Sequence, residues 1–274
     1  MTTGVGIGSG NGLPLVVAHR GLHGSGLPEE NSIGAFQAAV DAGADVIELD
    51  IHRTADGQLV IHHDAELADG RKIADLRADE LPLLPDGQRI PRLAEVADLA
   101  RRTGVRVAAE LKEAGYEQQV VTELTGRMPA SQLELISFDR ESIRAIESID
   151  PLLRTGLLEP RLPAWLRNSA VYPAALWVMD KLDWHPSLSA AAKVGADYVS
   201  VEHRMATASF IDAAHERGLP VNAWTVNDAA RMRQLIRDGV DAIVTDRTDL
   251  AVQLRSQGGV APSLPTAPPL PAAS

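Results

Sequence analysis

Short runs of β-branched and aliphatic residues alternate along the chain with segments whose apolar positions recur at helical spacing. The strand-like runs fall at Leu13–Ala18, Asp45–His52, Arg106–Leu111, Leu133–Phe138, Arg154–Leu158, Tyr198–Glu202, Pro220–Val226 and Asp241–Thr245, with a further run at Ala175–Met179. Segments such as S-I-G-A-F-Q-A-A-V-D-A-G and D-A-A-R-M-R-Q-L-I-R-D-G carry helical periodicity and stop at glycine, the residue that most readily closes a helix in the left-handed conformation. Repeated strand–helix alternation predicts a parallel sheet, most economically an α/β fold of the (β/α)8 TIM-barrel type. Nine runs exceed eight staves by one. Ala175–Met179 is set aside, because it lies between Pro173 and Pro186 with no clear helix separating it from Arg154–Leu158. A doubly wound open sheet is the structural alternative, but no G-x-G-x-x-G follows the first strand as a dinucleotide site would need.

The ends depart from this pattern. The Gly-rich residues 1–12 and the Pro-rich residues 257–274 cannot bury enough apolar surface to offset their ordering entropy and are expected to be disordered tails. That leaves a barrel domain over residues 13–256. Between His63 and the helix near Pro91, residues 65–90 exceed the usual ~2–6 residue connection and are read as a short cap insertion after the second strand.

Composition narrows the function classes. The chain has 274 residues, 45% hydrophobic and 23% charged, enough to bury a full core. Its formal net charge of −11 opposes binding to nucleic acid or to an anionic membrane surface, while leaving room for a local cationic pocket. No cysteine is present, which excludes disulfides, zinc–thiolate sites and a cysteine nucleophile. The first dozen residues lack the basic and apolar regions of a signal peptide, and no apolar run approaches a membrane span. The cytoplasm is therefore the expected location.

Candidate chemistry sits where the strands end. In a (β/α)8 barrel, polar residues at C-terminal strand ends face the active-site mouth. The first strand ends in His19-Arg20-Gly21; the second reads V-I-E-L-D-I-H, so Glu48, Asp50 and His52 share one face; the third ends A-A-E-L-K, with Glu110 and Lys112 on one face. Buried carboxylates need a positive partner. One divalent cation, Mg2+ or Ca2+, would satisfy Glu48, Asp50 and Glu110 together, since an all-oxygen donor set selects a hard metal. The alternative is a purely structural network in which the acids pair with Arg20 and Lys112. Of the other histidines, His23, His185 and His215 lie in loop or helix contexts without a partner pattern and are expected at the surface, and His52 is expected to play a supporting or structural role.

The motifs together resemble the glycerophosphodiester phosphodiesterase family, part of the phosphatidylinositol-phospholipase-C-like TIM barrels. They are H-R-G at 19–21, P-E-E-N-S at 28–32, G-A-D-V-I-E-L-D at 43–50, D-G-Q-L-V-I-H-H-D at 56–64, E-L-K at 110–112, S-F-D at 137–139, W-T-V-N at 224–227 and G-V-D-A-I-V-T-D at 239–246. The resemblance implies that His19 and His63 form a general acid/base pair, that Glu48, Asp50 and Glu110 are metal ligands, and that Arg20 and Lys112 contact phosphate. It also implies that Trp224 forms an aromatic wall, which core packing alone would equally explain. The stretch after H-D departs from the family's usual R-T-T continuation, which bears on the leaving alcohol more than on the chemistry.

The implied activity is metal-dependent hydrolysis of a glycerophosphodiester to sn-glycerol 3-phosphate and an alcohol. The attacking group is either water or the neighbouring glycerol hydroxyl acting through a cyclic phosphate. Two other readings stand beside it. A phospholipase-D-like or lysophospholipase-D-like enzyme would act on lipids; the short insertion suits a compact polar substrate better, and an aromatic content of 4% argues against stable membrane association. A phosphate-ligand binding protein on the same barrel is the non-enzyme reading.

Overall fold

Eight parallel strands close on themselves in a computed structural model of the chain, which describes residues 12–159, 169, 171, 174, 178 and 185–257. The staves are β1 (Leu15–His19), β2 (Val46–Arg53), β4 (Arg106–Leu111), β5 (Leu133–Ser137), β6 (Arg154–Leu158), β7 (Tyr198–Glu202), β8 (Val221–Trp224) and β9 (Ala242–Thr245). Each pairs in parallel with the next, and β9 returns to β1. The expected TIM barrel is the observed fold, with strand boundaries within two residues of the sequence reading. Of the set-aside run Ala175–Met179, only Val178 is described, and it is helical; the rest lies outside the described residues.

One strand was not expected as an element of the sheet. β3 (Leu59–Ile61) folds back antiparallel on the far end of β2, pairing Ile51 with Ile61 and Arg53 with Leu59. It is a hairpin outside the barrel wall, and the insertion grows from it. Within the insertion Leu67, Ile73 and Ile90 are buried together with Val60 and are packed by Leu76, Leu81 and Leu84. Apart from the exposed Leu83, the large aliphatic side chains of residues 65–90 thus form a small core of their own.

Helices α1 (Ile33–Asp41), α2 (Leu93–Thr103), α3 (Glu117–Thr125), α4 (Arg140–Ile149), α5 (Pro186–Val194), α6 (Ala208–Glu216), α7 (Ala229–Arg237) and α8 (Thr248–Gln257) follow the staves. Three of their ends share one device. At G-A-D 43–45, G-A-D 195–197 and G-V-D 239–241, a glycine with φ of 88°, 82° and 81° ends the helical turn. The following aspartate then accepts the backbone N–H of the neighbouring strand: Asp45 from Val16, Asp197 from Thr155 and Asp241 from Val221, at 2.7, 2.8 and 2.8 Å. The N-terminal rim of the barrel is pinned by carboxylates that the helix–strand turns deliver.

Inside the barrel, Tyr198 is buried and its hydroxyl donates to Glu134 at 2.9 Å. The ring fits only because position 156 has no side chain: a Cβ there would lie 2.3 Å from Tyr198 Cζ. Gly156→Ala is therefore expected to destabilise the fold by about 1–3 kcal/mol, as overpacking does. Melting curves check this; an unchanged midpoint would mean that the ring has room to move.

Candidate active site

The first strand ends in a turn that only a few residues tolerate. After His19, Arg20 and Gly21 both take left-handed backbone angles, φ 57° and 86°, and a Cβ on Gly21 would lie 2.6 Å from the Ala35 carbonyl carbon. Glycine is required there by both angle and space. For Arg20 the left-handed conformation carries strain, of a kind that persists where surrounding contacts over-determine it. Those contacts are present. The Arg20 N–H donates to Glu48 Oε2 at 3.0 Å, its Nη1 donates to Glu30 Oε1 at 3.0 Å, and its Nε lies 3.3 Å from Asp50 Oδ2. Asn31, also left-handed at φ 56°, donates from Nδ2 to Asp50 Oδ2 at 2.8 Å. H-R-G and P-E-E-N-S are two turns that meet on the same carboxylate, Asp50.

Sheet register assembles the acids. His19 lies level with Glu48 across β1–β2, and Asp50 level with Glu110 across β2–β4. Glu48, Asp50 and Glu110 are buried, and one oxygen from each falls within 4.8 Å of the others. Lys112 Nζ sits 3.1 Å from Asp50 Oδ1 and 3.0 Å from Glu110 Oε1. Three carboxylates thus face two cationic side chains, and the shortfall is visible in their protonation. Burial, with repulsion from Asp50 and Glu110, pushes the Glu48 carboxyl well above its ordinary range. Burial and Asp50 push Glu110 to about 7 against the pull of Lys112. Burial also works against Asp50, but Lys112, Arg20 and the Asn31 bond hold it below its usual value. A buried, oxygen-only set still short of positive charge fits a hard divalent cation.

The two histidines approach from different supports. His19 ends a barrel stave, and its Nδ1 donates to Asp246 Oδ1 at 2.6 Å. Asn227 Nδ2 donates to the other Asp246 oxygen at 2.6 Å, and His23 Nε2 lies 3.4 Å from Oδ1. Burial would raise the Asp246 pKa, yet the bonds from His19 and His23 hold it far below the carboxylate range. His63 lies past the end of β3, with Nδ1 2.8 Å from Asp64 Oδ1. Burial, with Arg20 and Lys112 nearby, lowers its pKa below that of a free imidazole. Its neighbour His62 donates its backbone N–H to Asp50 O at 3.0 Å and turns its ring to the Asp64 carbonyl, 2.8 Å away.

A cavity of about 390 Å3 opens at the C-terminal ends of the strands. His19, Arg20, Glu48, His63, Glu110, Lys112 and Trp224 all line it. Asp50 sits behind them, and His62 and residues 65–90 are absent from its wall. The insertion, expected as a cap, meets the cavity only through the His63 that leads into it. Phe138 meets Trp224 edge-to-face at 5.9 Å, forming an aromatic side to the mouth.

Comparison with known proteins follows the same lines. A model of the glycerophosphoryl diester phosphodiesterase family matches residues 19–250. The chain belongs to this family. A glycerophosphodiester phosphodiesterase from Caldanaerobacter subterraneus subsp. tengcongensis is 28% identical over 264 residues, covering 89% of this chain and 99% of the relative. One from Bacillus altitudinis is 26% identical over 261 residues, covering 88% and 98%. The crystal structure of a glycerophosphodiester phosphodiesterase from Parabacteroides distasonis shares the fold at TM-score 0.73 and 24% identity, over 89% of this chain and 97% of that one. So does a phosphodiesterase from Oleispira antarctica, solved with the product sn-glycerol-3-phosphate, at TM-score 0.72 and 22% identity over 89% and 97%. As a member of the glycerophosphodiester phosphodiesterase family, the protein is a phosphoric diester hydrolase. No described helix is long and apolar enough to cross a membrane.

Several site residues were not singled out by sequence reasoning. Asp246, Asn227, Glu30 and Asn31 all lie inside quoted motifs, but nothing in a linear string says that Asp246 meets a histidine 227 positions away. His23, expected at the surface, sits half-buried beside Asp246 because the left-handed turn after His19 swings it back. His185 is buried against Phe210, with ring centroids 5.3 Å apart. His215 is exposed as expected, yet it pairs with Asp241 at 2.7 Å.

Proposed function

We propose that the protein is a divalent-cation-dependent glycerophosphodiester phosphodiesterase that releases sn-glycerol 3-phosphate and an alcohol by two-histidine acid/base catalysis. The observation that carries this reading is the convergence on one cavity of Glu48, Glu110, two cationic side chains and two histidines, with Asp50 close behind as the third carboxylate of the cluster. Glu48, Asp50 and Glu110 would hold Mg2+ or Ca2+, which supplies positive charge against the phosphoryl oxygens. Arg20 and Lys112 neutralise the remaining phosphate charge. Each histidine engages a carboxylate through Nδ1, which leaves Nε2 for the substrate. His63, with its lowered pKa, is neutral near pH 7 and accepts a proton from the attacking oxygen. His19, held by ionised Asp246, donates a proton to the leaving oxygen. The charged groups that line the cavity, together with an insertion whose buried apolar side chains pack on a core of their own, favour a small water-soluble diester over a lipid or a nucleic acid.

The test is release of free alcohol from glycerophosphocholine, glycerophosphoethanolamine, glycerophosphoinositol and a lysophospholipid, each with and without chelator. Cation-dependent release from the water-soluble diesters is expected. Release from the lysophospholipid alone would favour the lipid reading, and binding without turnover would favour the non-enzyme reading.

The proton roles set a pH dependence. Protonating the base stops catalysis, and His63 titrates below the ~6.5 of an unperturbed imidazole for the reason given above. Activity in kcat/KM is therefore expected to hold as pH falls to about that reference value and to drop below it. A fall already complete at neutral pH would remove His63 from the base role.

A further inference from the structure

A catalytic ring placed beyond the end of a strand needs something to hold it. β3 stops at Ile61, so the His63 backbone lies outside the ladder that fixes its neighbours. Its carbonyl oxygen is nevertheless engaged: His52 Nε2 reaches it at 3.2 Å. The other nitrogen of the same ring, Nδ1, lies 2.7 Å from Glu113 Oε1. His52 is 3% exposed and stands on β2, where it pairs in register with Val60. Glu113 is held in its turn by Tyr116, whose hydroxyl lies 2.9 Å from Glu113 Oε2, accepts the Glu113 N–H at 3.2 Å, and lies 2.8 Å from the Ile51 carbonyl. The circuit runs from the loop after β4, across β2, to the main chain of His63.

Nothing in packing alone asks for an imidazole at position 52. Its neighbours on the far end of β2 are served by the backbone ladder, and the ring does not line the cavity. What the ring does is occupy both nitrogens with oxygens belonging to two separate segments. We propose that His52, clamped by Glu113, is a positioning residue that fixes His63 at the reacting centre. Because Glu113 directly follows Lys112, the same clamp ties the phosphate contact to the base, so the two arrive in a fixed relation. This inference rests on His63 acting as the base.

The experiment compares His52→Leu, His52→Gln and Glu113→Ala with the unmodified enzyme and with His63→Ala, on glycerophosphocholine with Mg2+. Readouts are kcat, KM and the Mg2+-induced rise in melting temperature. Misplacing a reacting group by about 1 Å costs on the order of 100-fold, so His52→Leu is expected to lower kcat about 10- to 100-fold. KM should stay within about twofold and the Mg2+ response should be kept. His52→Gln retains a donor at the same reach and should restore most of the loss. Glu113→Ala, at a partly exposed site, should lower kcat several-fold and carries the test if His52→Leu does not fold. Wild-type kcat in His52→Leu or Glu113→Ala beside an inactive His63→Ala would overturn the positioning role alone. Equal losses in the leucine and glutamine variants that track their melting temperatures would overturn it too, as a matter of stability. Full activity in His63→Ala would instead overturn the base assignment and this inference with it.

Discussion

Alanine at either His19 or His63 is expected to lower kcat/KM by about 100- to 10,000-fold, the range that a positioned acid or base supplies, while the fold and the cation response survive. Neither ring is part of the hydrophobic core; both line the cavity. His62→Ala should cost far less, since the His62 ring turns to the Asp64 carbonyl and is absent from the cavity wall. The adjacent pair is thus an internal control: two imidazoles one residue apart, one lining the cavity and one not. Steady-state turnover of the three purified variants, with melting curves, decides it. A dead His62→Ala beside an active His63→Ala would reverse the assignment of the two rings.

The carboxylates carry the second large effect. Replacing Glu48 or Glu110 by glutamine is expected to lower turnover by about 100- to 1,000-fold, comparable to losing a strong electrostatic stabiliser, and excess EDTA should do the same to the unmodified enzyme. The stability response has a diagnostic sign. The Glu48 carboxyl is pushed up by burial among like charges, so Glu48→Gln removes repulsion and should melt no lower than the cation-free enzyme. It should also lose the stabilisation that saturating cation confers, about 2.7 kcal/mol at a hundred times Kd. A variant that melts lower but still responds fully to Mg2+ would place the ion elsewhere.

Much of this arrangement was legible before any coordinates. Staves buried on both faces read as continuous apolar runs ending in charged residues, and three of the eight, Arg106–Leu111, Arg154–Leu158 and Tyr198–Glu202, have the bounds expected. Seven of the eight candidate site residues line one cavity, and Asp50 stands directly behind it. What escaped is what closure and turn geometry create. β3 is three residues long, and nothing in so short a run says that it folds back on β2. The bond between His19 and Asp246 exists because the last stave returns to the first, a fact of topology rather than of local pattern. The left-handed Arg20 carries no mark in composition, and only its glycine neighbour hints at the turn.

The hairpin that carries His63 divides the site by provenance. The three buried carboxylates, Arg20, Lys112 and His19 grow from the staves or their ends, whereas His63 arrives on a side branch with a miniature core of its own. The branch enters and leaves at neighbouring points, since Ile61 N–H meets the Pro91 carbonyl at 2.9 Å and Val60 bridges to Arg92. Such a branch is a cassette. Changes within it bear on where His63 sits and leave the buried carboxylates, Arg20 and Lys112 of the barrel wall in place.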